Sequence, residues 1–490
     1  MLTPPKILRE VTLADWEAVG SDWKCLPYLI SLGGKKLPAS WASALTGKNA
    51  ALLESGPTGN ITLLIPEADV TWTFHADGRC QIASAHGTTE TSTDPLTWLD
   101  EWSSTHRAPH LEGWPDFQGG LVAALGYELV STFEPIPNSR QTELPLAIYL
   151  QAREALWYDA STGSLTAVVL VDATAPRANA YEAAQRRALR LVQLWDHATT
   201  QPSPLLKPAG EPSAVLNASL PPEAFTAAAS RAQNYIAAGD TYQVNLSTRL
   251  ELPRPMSGLM AYESVRATNP SPYMGYVRTP QLELICGSPE LLIELQGERL
   301  ATRPIAGTRP RTGQTDEDSV FARELAADSK ERAEHLMLVD LLRNDIGRVA
   351  SPGSVRVPEF MVIERYSHVM HLVSQIEGTL AHPRPSLSTL VKALFPGGTI
   401  TGAPKVRTMQ IIAELEPTPR GFYTGSLGWF SATGNFCLNI IIRSLTLTRD
   451  HCYAQAGAGV VADSIPGREY EESLRKALAL RVALARVATL

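Results

Sequence analysis

The sequence predicts a mixed α/β (α+β) fold. Three observations carry that prediction: short apolar runs closed by Gly, Asp or Pro, longer runs with apolar residues at helical spacing, and a 490-residue chain that is 44% hydrophobic and 19% charged, a composition able to fill a large core. From the N-terminus, ITLLIPEADVTWTFHADG and LTAVVLVDA read as strands joined by turns. NAYEAAQRRALRLVQLWDHA then reads as a helix, and TTQPSPLLKPAGEPSAVLNASLPP, rich in Pro, Ala and Ser, as a linker. The expected organisation is an N-terminal domain over 1–198, a linker over 199–222 and a second domain over 223–490.

The second part alternates helices and strands. PPEAFTAAASRAQNYIAAGD has Pro near the start and Gly after the end of a helix, and TYQVNLSTRLEL follows it as a strand. Further strands are predicted in LELICGSPELLIEL, GSVRVPEFMVIERY, HLVSQIEGTL, YTGSLGWFS, NIIIRSLTLT and CYAQAGAGVV. Helices are predicted over Asp318 to Leu342, after Pro404, and from Glu469 onward. No internal repeat is visible.

Charge and composition exclude several functions. A formal net charge of -7 argues against a nucleic-acid footprint. No apolar run reaches the roughly 18 residues of a membrane span, and the N-terminus has no signal-peptide core, so a cytoplasmic protein is expected, without a membrane partner. The five cysteines, Cys25, Cys80, Cys286, Cys437 and Cys452, are scattered without a C-x-x-C. Neither a disulfide framework nor a zinc site is indicated.

Two E-x-x-E pairs carry the first chemical signal. Glu331 and Glu334 lie in KERAEHLML, and Glu469 and Glu472 lie in REYEESLRK. A helical spacing of three puts both carboxylates of a pair on one face. If both faces line one pocket, they offer hard oxygen ligands and no thiolates, a set that suits Mg2+. Mg2+ is usually held by one or two carboxylates plus anionic groups of the substrate, which points to an acidic substrate. Such pairs are equally ordinary on solvated helix faces.

RPIAGTRPR (303–311), FPGGTITGAPK (395–405) and QAGAGVVADS (455–464) read as turns whose backbone N–H groups can hold a carboxylate. None closes with G-K-[ST] and none is a G-x-G-x-x-G, so phosphate-loop and dinucleotide readings fall away. Arg443, in apolar NIIIRSL, demands a partner, either a substrate carboxylate or a structural Glu. Tyr423 either bonds the same acid or packs. His368 and His371 lack a third ligand for zinc. His371 is then a satisfied core histidine, or a polariser or proton donor for a leaving hydroxyl. Glu290, in CGSPELL, sits in an apolar strand, where a carboxylate is costly without work or a partner.

In their order and spacing, PIAGTRPR, KERAEHLMLVDLLRNDIGRV, SHVMHLVS, GGTITGAPKVR, NIIIRSL, AGAGVVADS and EYEES resemble the chorismate-utilising enzymes. These include the component I chains of anthranilate and aminodeoxychorismate synthases, and isochorismate and salicylate synthases. The resemblance covers 223–480 and continues more weakly in ALLESG and PDFQGGLVAALGYEL. It implies a large two-sheet β-sandwich core flanked by helices, of the anthranilate synthase component I type. It implies chorismate as substrate, with Mg2+ bridging the ring carboxylate to Glu334 and Glu472 while Glu331 and Glu469 hold the metal's waters. Gly307, Thr308, Tyr423, Arg443 and the backbone of Gly457, Ala458 and Gly459 would bind substrate carboxylates. His371 and Thr399 would sit near the C4 hydroxyl, Glu290 would be the general acid, and Lys476 would lie near the same site. No Cys stands in a G-x-C-x-G elbow. Ammonia is therefore expected from a separate glutamine amidotransferase subunit, in a heterodimer or heterotetramer.

Within this family amination occurs at C2, giving anthranilate, or at C4. Ala306 stands where one C4-aminating subgroup has a lysine nucleophile, and taken alone it favours C2. YQVNLS (242–247), PGGTITGAPK (396–405) and DFQGG (116–120) resemble aminodeoxychorismate synthases instead, and the balance leans to C4. LLES (52–55) and NPSPYM (269–274), with Ser55, Pro272, Tyr273 and Met274, match tryptophan-binding segments of feedback-regulated anthranilate synthases. They form a similar pocket here or persist as parts of a shared fold.

Overall fold

The computed structural model describes residues 6–55, 60–137, 142–208, 210–365 and 369–489. Among these, thirteen strands form one antiparallel sheet and twelve form a second. Sequence on both sides of the 199–222 stretch feeds both sheets. Ala50–Glu54 pairs Tyr273–Arg278 in the first, and Gly120–Leu125 pairs Ser426–Ser431 in the second.

The period-two side-chain alternation of a strand explains the layering. Along Gly120–Leu125, Val122 and Ala124 join the apolar cluster shared with the first sheet. Leu121, Ala123 and Leu125 join a second cluster with Leu99 and Leu390, from the helices Pro95–Thr105 and Leu387–Leu394. Both faces are covered, so the strand is apolar throughout. The same holds for Ser164–Asp172, over which the helix Arg177–Thr199 lays Ala184, Ala188, Leu191, Val192 and Trp195 at helical spacing. No helix among the described residues is long and apolar enough to cross a membrane.

Three predicted elements differ from the structure. The 318–342 helix is two helices, Thr315–Ala327 and Ser329–Gly347, broken at Asp328 with ψ 111°. The Asp328 carboxylate accepts from the N–H groups of Lys330 (3.0 Å) and Glu331 (3.1 Å) and pairs with Arg309 (2.8 Å), so it caps the second helix instead of continuing the first. The apolar run around Arg443 is split between Phe436–Asn439 and Ser444–Leu447, with Arg443 itself outside both. Of the three Gly-rich segments, Ile305–Pro310 is a strand instead of a turn, while Gln455 to Val460 complete the strand Cys452–Val460 expected from CYAQAGAGVV. Ladder pairing supplies what a turn would otherwise leave open.

A buried ion pair locks these layers at the site. Arg420 and Glu416 side chains are 1% and 4% exposed, and they pair through Nη2–Oε1 at 2.6 Å and Nε–Oε2 at 2.8 Å. Glu416 also accepts from the backbone N–H and hydroxyl of Ser247, both at 2.8 Å. Arg420 donates to the carbonyls of Ile400 (3.0 Å) and Asn245 (2.7 Å). Glu128 accepts from the N–H groups of Arg420 (2.7 Å) and Gly421 (2.9 Å). Removing one partner leaves an uncompensated buried charge, so Arg420→Met is expected to cost about 3–5 kcal/mol in urea unfolding. The double variant Arg420→Met, Glu416→Leu should recover part of that loss.

Candidate active site

His371 lies on the strand Val369–Thr379, directly across from Thr308. Its Nδ1 is 3.1 Å from the Gly307 carbonyl and 3.1 Å from Thr308 Oγ1. A carbonyl only accepts, so Nδ1 carries the proton and Nε2 carries the lone pair. The ring is 2% exposed. Burial, and then the positive charge of Arg443, hold its pKa down to about 4. Gly307 has φ 58°, and a Cβ there would stand 2.6 Å from Leu325 Cδ1 and 3.0 Å from Glu331 Oε2. Only glycine aims this carbonyl at His371 with Glu331 behind it.

Glu290 joins the strands Glu283–Ser288 and Leu291–Gln296. Its N–H donates to Ser288 Oγ (3.2 Å) and its carbonyl accepts from the Ile440 N–H (3.0 Å). Burial pushes its carboxyl up to about 7, against the opposing pull of Thr399, the Ile305 backbone, Arg443 and Lys476. Thr399 Oγ1 is buried and makes no hydrogen bond of good geometry among the described residues. Its effect on Glu290 is therefore one of proximity.

Arg443 sits at φ 51° and Thr424 at φ 62°, both in the left-handed region that non-glycine residues avoid. Thr424 is the costlier, being β-branched. It is held by its N–H on the Ile441 carbonyl (2.7 Å), its hydroxyl on the Tyr423 carbonyl (2.6 Å) and the Arg420 guanidinium on its Oγ1 (3.3 Å). The Arg443 carbonyl accepts from the Gly287 N–H at 3.0 Å. Backbone strain of this kind persists where surrounding structure over-determines it, commonly at functional sites. Tyr423 is buried, with the Arg420 guanidinium 5.7 Å from its ring centroid.

The Gly457–Ala458–Gly459 segment offers a backbone edge. Gly457 and Gly459 pair with Ser247 and Asn245 on one side. On the other side the Ser444–Leu447 strand stops pairing at Leu445 opposite Ala454, so the residues beyond have no strand across from them among the described residues. A Cβ on Gly459 would fall 2.2 Å from Gln243 Nε2.

The acidic residues gather around this edge. Glu334 accepts from Gln243 Nε2 at 2.9 Å, Lys476 donates to the Gly457 carbonyl at 3.1 Å, and Lys476 pairs with Glu472 at 2.9 Å. Glu331 leans on Arg309 at 3.5 Å, and Glu469 lies one turn before Glu472 in the helix Pro466–Ala485. Burial, followed by the charge of Glu331, raises Glu334 against the Gln243 hydrogen bond. Among the described residues no three His, Cys, Asp or Glu side chains converge tightly enough to chelate a metal. The donor set, carboxylate oxygens without sulfur or imidazole, fits a hard divalent cation.

Residues 49–481 match the family described as chorismate binding enzyme. The chain belongs to this family. Aminodeoxychorismate synthase component 1 of Bacillus subtilis (strain 168) is 41% identical over 92% of this chain and 96% of its own. Anthranilate synthase component 1 of Streptomyces coelicolor is 42% identical over 81% of this chain and 78% of its own. The crystal structure of anthranilate synthase component I from Streptococcus pneumoniae TIGR4 matches with a TM-score of 0.74 at 31% identity, over 87% of this chain and 93% of that one. The resemblance read from the motifs and the two-sheet architecture it implied are both borne out.

The residues matched to tryptophan-binding segments stand apart from this cluster. His368 lies outside the described residues. Ser55, Pro272, Tyr273 and Met274 line a separate cavity of about 230 Å³, together with Trp157 and Trp429 among others. Sequence reasoning missed Gln243, Glu416 and Arg420. Gln243 had a usable signal, as a polar residue that shares one strand face with Asn245 and Ser247 while Val244 and Leu246 share the other. Because burial depresses His371, its imidazole is expected to stay neutral down to about pH 5, with the proton on Nδ1. Nitrogen-15 NMR of the imidazole checks this, and a ring titrating above pH 6 would contradict it.

Proposed function

We propose that this enzyme is the chorismate-aminating component of an aminodeoxychorismate synthase, replacing the C4 hydroxyl of chorismate with an amino group and keeping the enolpyruvyl ether. The observation that supports C4 over C2 most directly is coverage. The Bacillus aminodeoxychorismate synthase component matches nearly end to end, 92% of this chain and 96% of its own, whereas the Streptomyces anthranilate synthase component matches about four-fifths of each.

The site residues divide the chemistry by protonation. His371, neutral with its lone pair on Nε2, accepts the hydrogen of the C4 hydroxyl and turns an oxygen lone pair toward Glu290. Glu290, about half protonated at neutral pH, gives its proton to that oxygen. The C4–O bond breaks and water leaves. Ammonia supplies the new C–N bond, and the Glu290 carboxylate takes a proton from the resulting ammonium. Arg443 and Tyr423 hold one substrate carboxylate, and the Gly457 to Gly459 edge with Gly307 and Thr308 holds the other. Glu334 and Glu472 would bind Mg2+, with Glu331 and Glu469 supporting its waters. When bound, that ion supplies Lewis-acid polarisation of the ring carboxylate. Ala306 is 8% exposed, and its methyl forms no covalent adduct, so C–N bond formation uses ammonia without an enzyme amine at that position.

Glutamine hydrolysis falls to a partner subunit, a glutamine amidotransferase. Four of the five cysteines are buried and the fifth is half-buried. Burial pushes Cys25 and Cys80 up to about 11, and Cys286 and Cys452 up to about 12. Cys437 is raised further by burial and the charges of Glu294 and Asp116. None is a thiolate nucleophile at neutral pH.

Incubation with chorismate, Mg2+ and an ammonium salt is expected to yield no fluorescent anthranilate, and p-aminobenzoate only once a lyase is added. Anthranilate without lyase would place the enzyme on the C2 side. Tryptophan at millimolar levels should leave the rate nearly unchanged. Glu334→Gln and Glu472→Gln should each abolish the Mg2+-dependent rate without changing the melting temperature. Glu290→Gln should lower kcat by about 10²–10⁴. At fixed free ammonia, the wild-type rate should fall as pH rises through about 7, because the raised carboxyl of Glu290 loses its proton there.

A further inference from the structure

Gln243 opens the strand Gln243–Leu252 and is 5% exposed. Its backbone is mounted on the TITGAPK turn. Gln243 pairs with Ala403, while the N–H of Tyr242 donates to the Ala403 carbonyl (2.8 Å) and the N–H of Asn245 to the Thr401 carbonyl (2.9 Å). The Thr241 hydroxyl donates to the Ala403 carbonyl at 2.8 Å and lies 2.7 Å from Thr408 Oγ1. Gly402, at φ 136°, completes the mount: a Cβ there would stand 2.0 Å from the Gln243 carbonyl oxygen. With its root fixed in this way, the Gln243 side chain has only its own χ angles left to set its direction.

Two contacts set them. Nε2 donates to Glu334 Oε1 at 2.9 Å. On the neighbouring strand, Gly459 lies diagonally across from Gln243 on the same face, and a Cβ there would stand 2.2 Å from Nε2. The amide therefore occupies space that a side chain at 459 would fill. A buried NH2 group needs an acceptor, and Glu334, on the helix Ser329–Gly347, supplies it.

The two carboxylates proposed to bind the cation are held in different ways. Glu472 meets the ammonium of Lys476 at 2.9 Å, so a cation approaching it also meets a positive charge. Glu334 meets a neutral donor instead. An amide N–H has no lone pair to offer a cation and no charge to repel one, yet it fixes the orientation of the carboxylate it bonds. Here it engages Oε1 and leaves the other oxygen to a ligand.

We propose that Gln243 is the positioning residue for Glu334: it holds that carboxylate oriented for a hard divalent cation, from a root set by the TITGAPK turn and in a space kept open by Gly459. The proposal rests on the reading of Glu334 as a cation ligand and names the group that prepares it. Free Mn2+, counted by its electron paramagnetic resonance signal, reports cation binding to the full chain in excess chorismate without ammonium. Gln243→Leu removes the donor at similar volume and is expected to raise the Kd for Mn2+ about tenfold, with the cation-free melting temperature unchanged. Gly459→Ala pushes the amide off Glu334 without removing a polar atom, and a rise of similar size is expected. In the Gln243→Leu background the same Gly459→Ala change should add less than about twofold, because the contact it breaks is already gone. An unchanged Kd in folded Gln243→Leu would overturn the proposal. Full additivity of the two variants would overturn it too, by showing that Gly459 acts on the cation by another route. A wild-type chain that binds no Mn2+ would remove the cation reading itself, and the proposal with it. If Gln243→Leu fails to fold, Gln243→Asn, which keeps a buried amide one methylene short of Glu334, takes its place in the same titration.

Discussion

The site depends on one buried ion pair. A guanidinium inside a β-sandwich has no water to satisfy it, so Arg420 must find acceptors in the protein, and it finds them on several separate segments. Glu416 lies four residues before it, Asn245 comes from the strand Gln243–Leu252, Ile400 from the TITGAPK turn and Thr424 from the strained turn behind Tyr423. Through its backbone the same residue is tied to Glu128 in the N-terminal part of the chain. The pair is a costly element whose return is geometric: it fixes the relative positions of parts that have no reason to be adjacent in sequence. Burial also makes its hydrogen bonds stiff, since exchanging any of them for water is not available.

On that frame, burial acts on two titratable groups with opposite sign. Desolvation always penalises the charged form, so it raises the carboxyl of Glu290 to about 7 and lowers the imidazole of His371 to about 4. Arg443 lowers both, which reinforces the shift of the histidine and opposes that of the glutamate. The result near neutral pH is a Glu290 carboxyl about half protonated and an imidazole of His371 with no proton to spare. That inverts the usual expectation for a Glu and His pair. On the proposed reading this would suit Glu290 to the acid role and His371 to an accepting, orienting one, where the sequence left polariser and proton donor both open.

Much of this was legible in the chain. Glu290 and His371 stood out as polar residues in apolar runs, and the structure puts both beside Arg443. Most strands and helices appeared where alternation and periodicity placed them, because long buried segments carry strong patterns. The failures share one cause, which is that local pattern is overruled by a partner remote in sequence. Helical periodicity runs straight through Asp328, and only its contact with Arg309 and its capping of Lys330 and Glu331 show why the helix breaks there. The glycines at 457 and 459 read as turn residues, yet glycine is needed because Gln243 and Asn245 approach the strand too closely for a Cβ. Arg420 gave no signal at all, since its role is a convergence of segments that no window of sequence contains.

The choice between C2 and C4 is governed by the same frame rather than by the glutamates. A cation held by the two acidic pairs would serve amination at C2 and at C4 alike. What differs is the wall that faces the ring edge. Ala306 lies on the strand Ile305–Pro310, next to Gly307, whose carbonyl fixes His371, and it contributes a methyl where an amine would be a nucleophile. Thr399 and Ile400 belong to the opposite turn, which Arg420 anchors through the Ile400 carbonyl. On the proposed reading, regiochemistry would turn on how that turn holds the C4 side against Glu290, and the turn's position depends on one buried arginine.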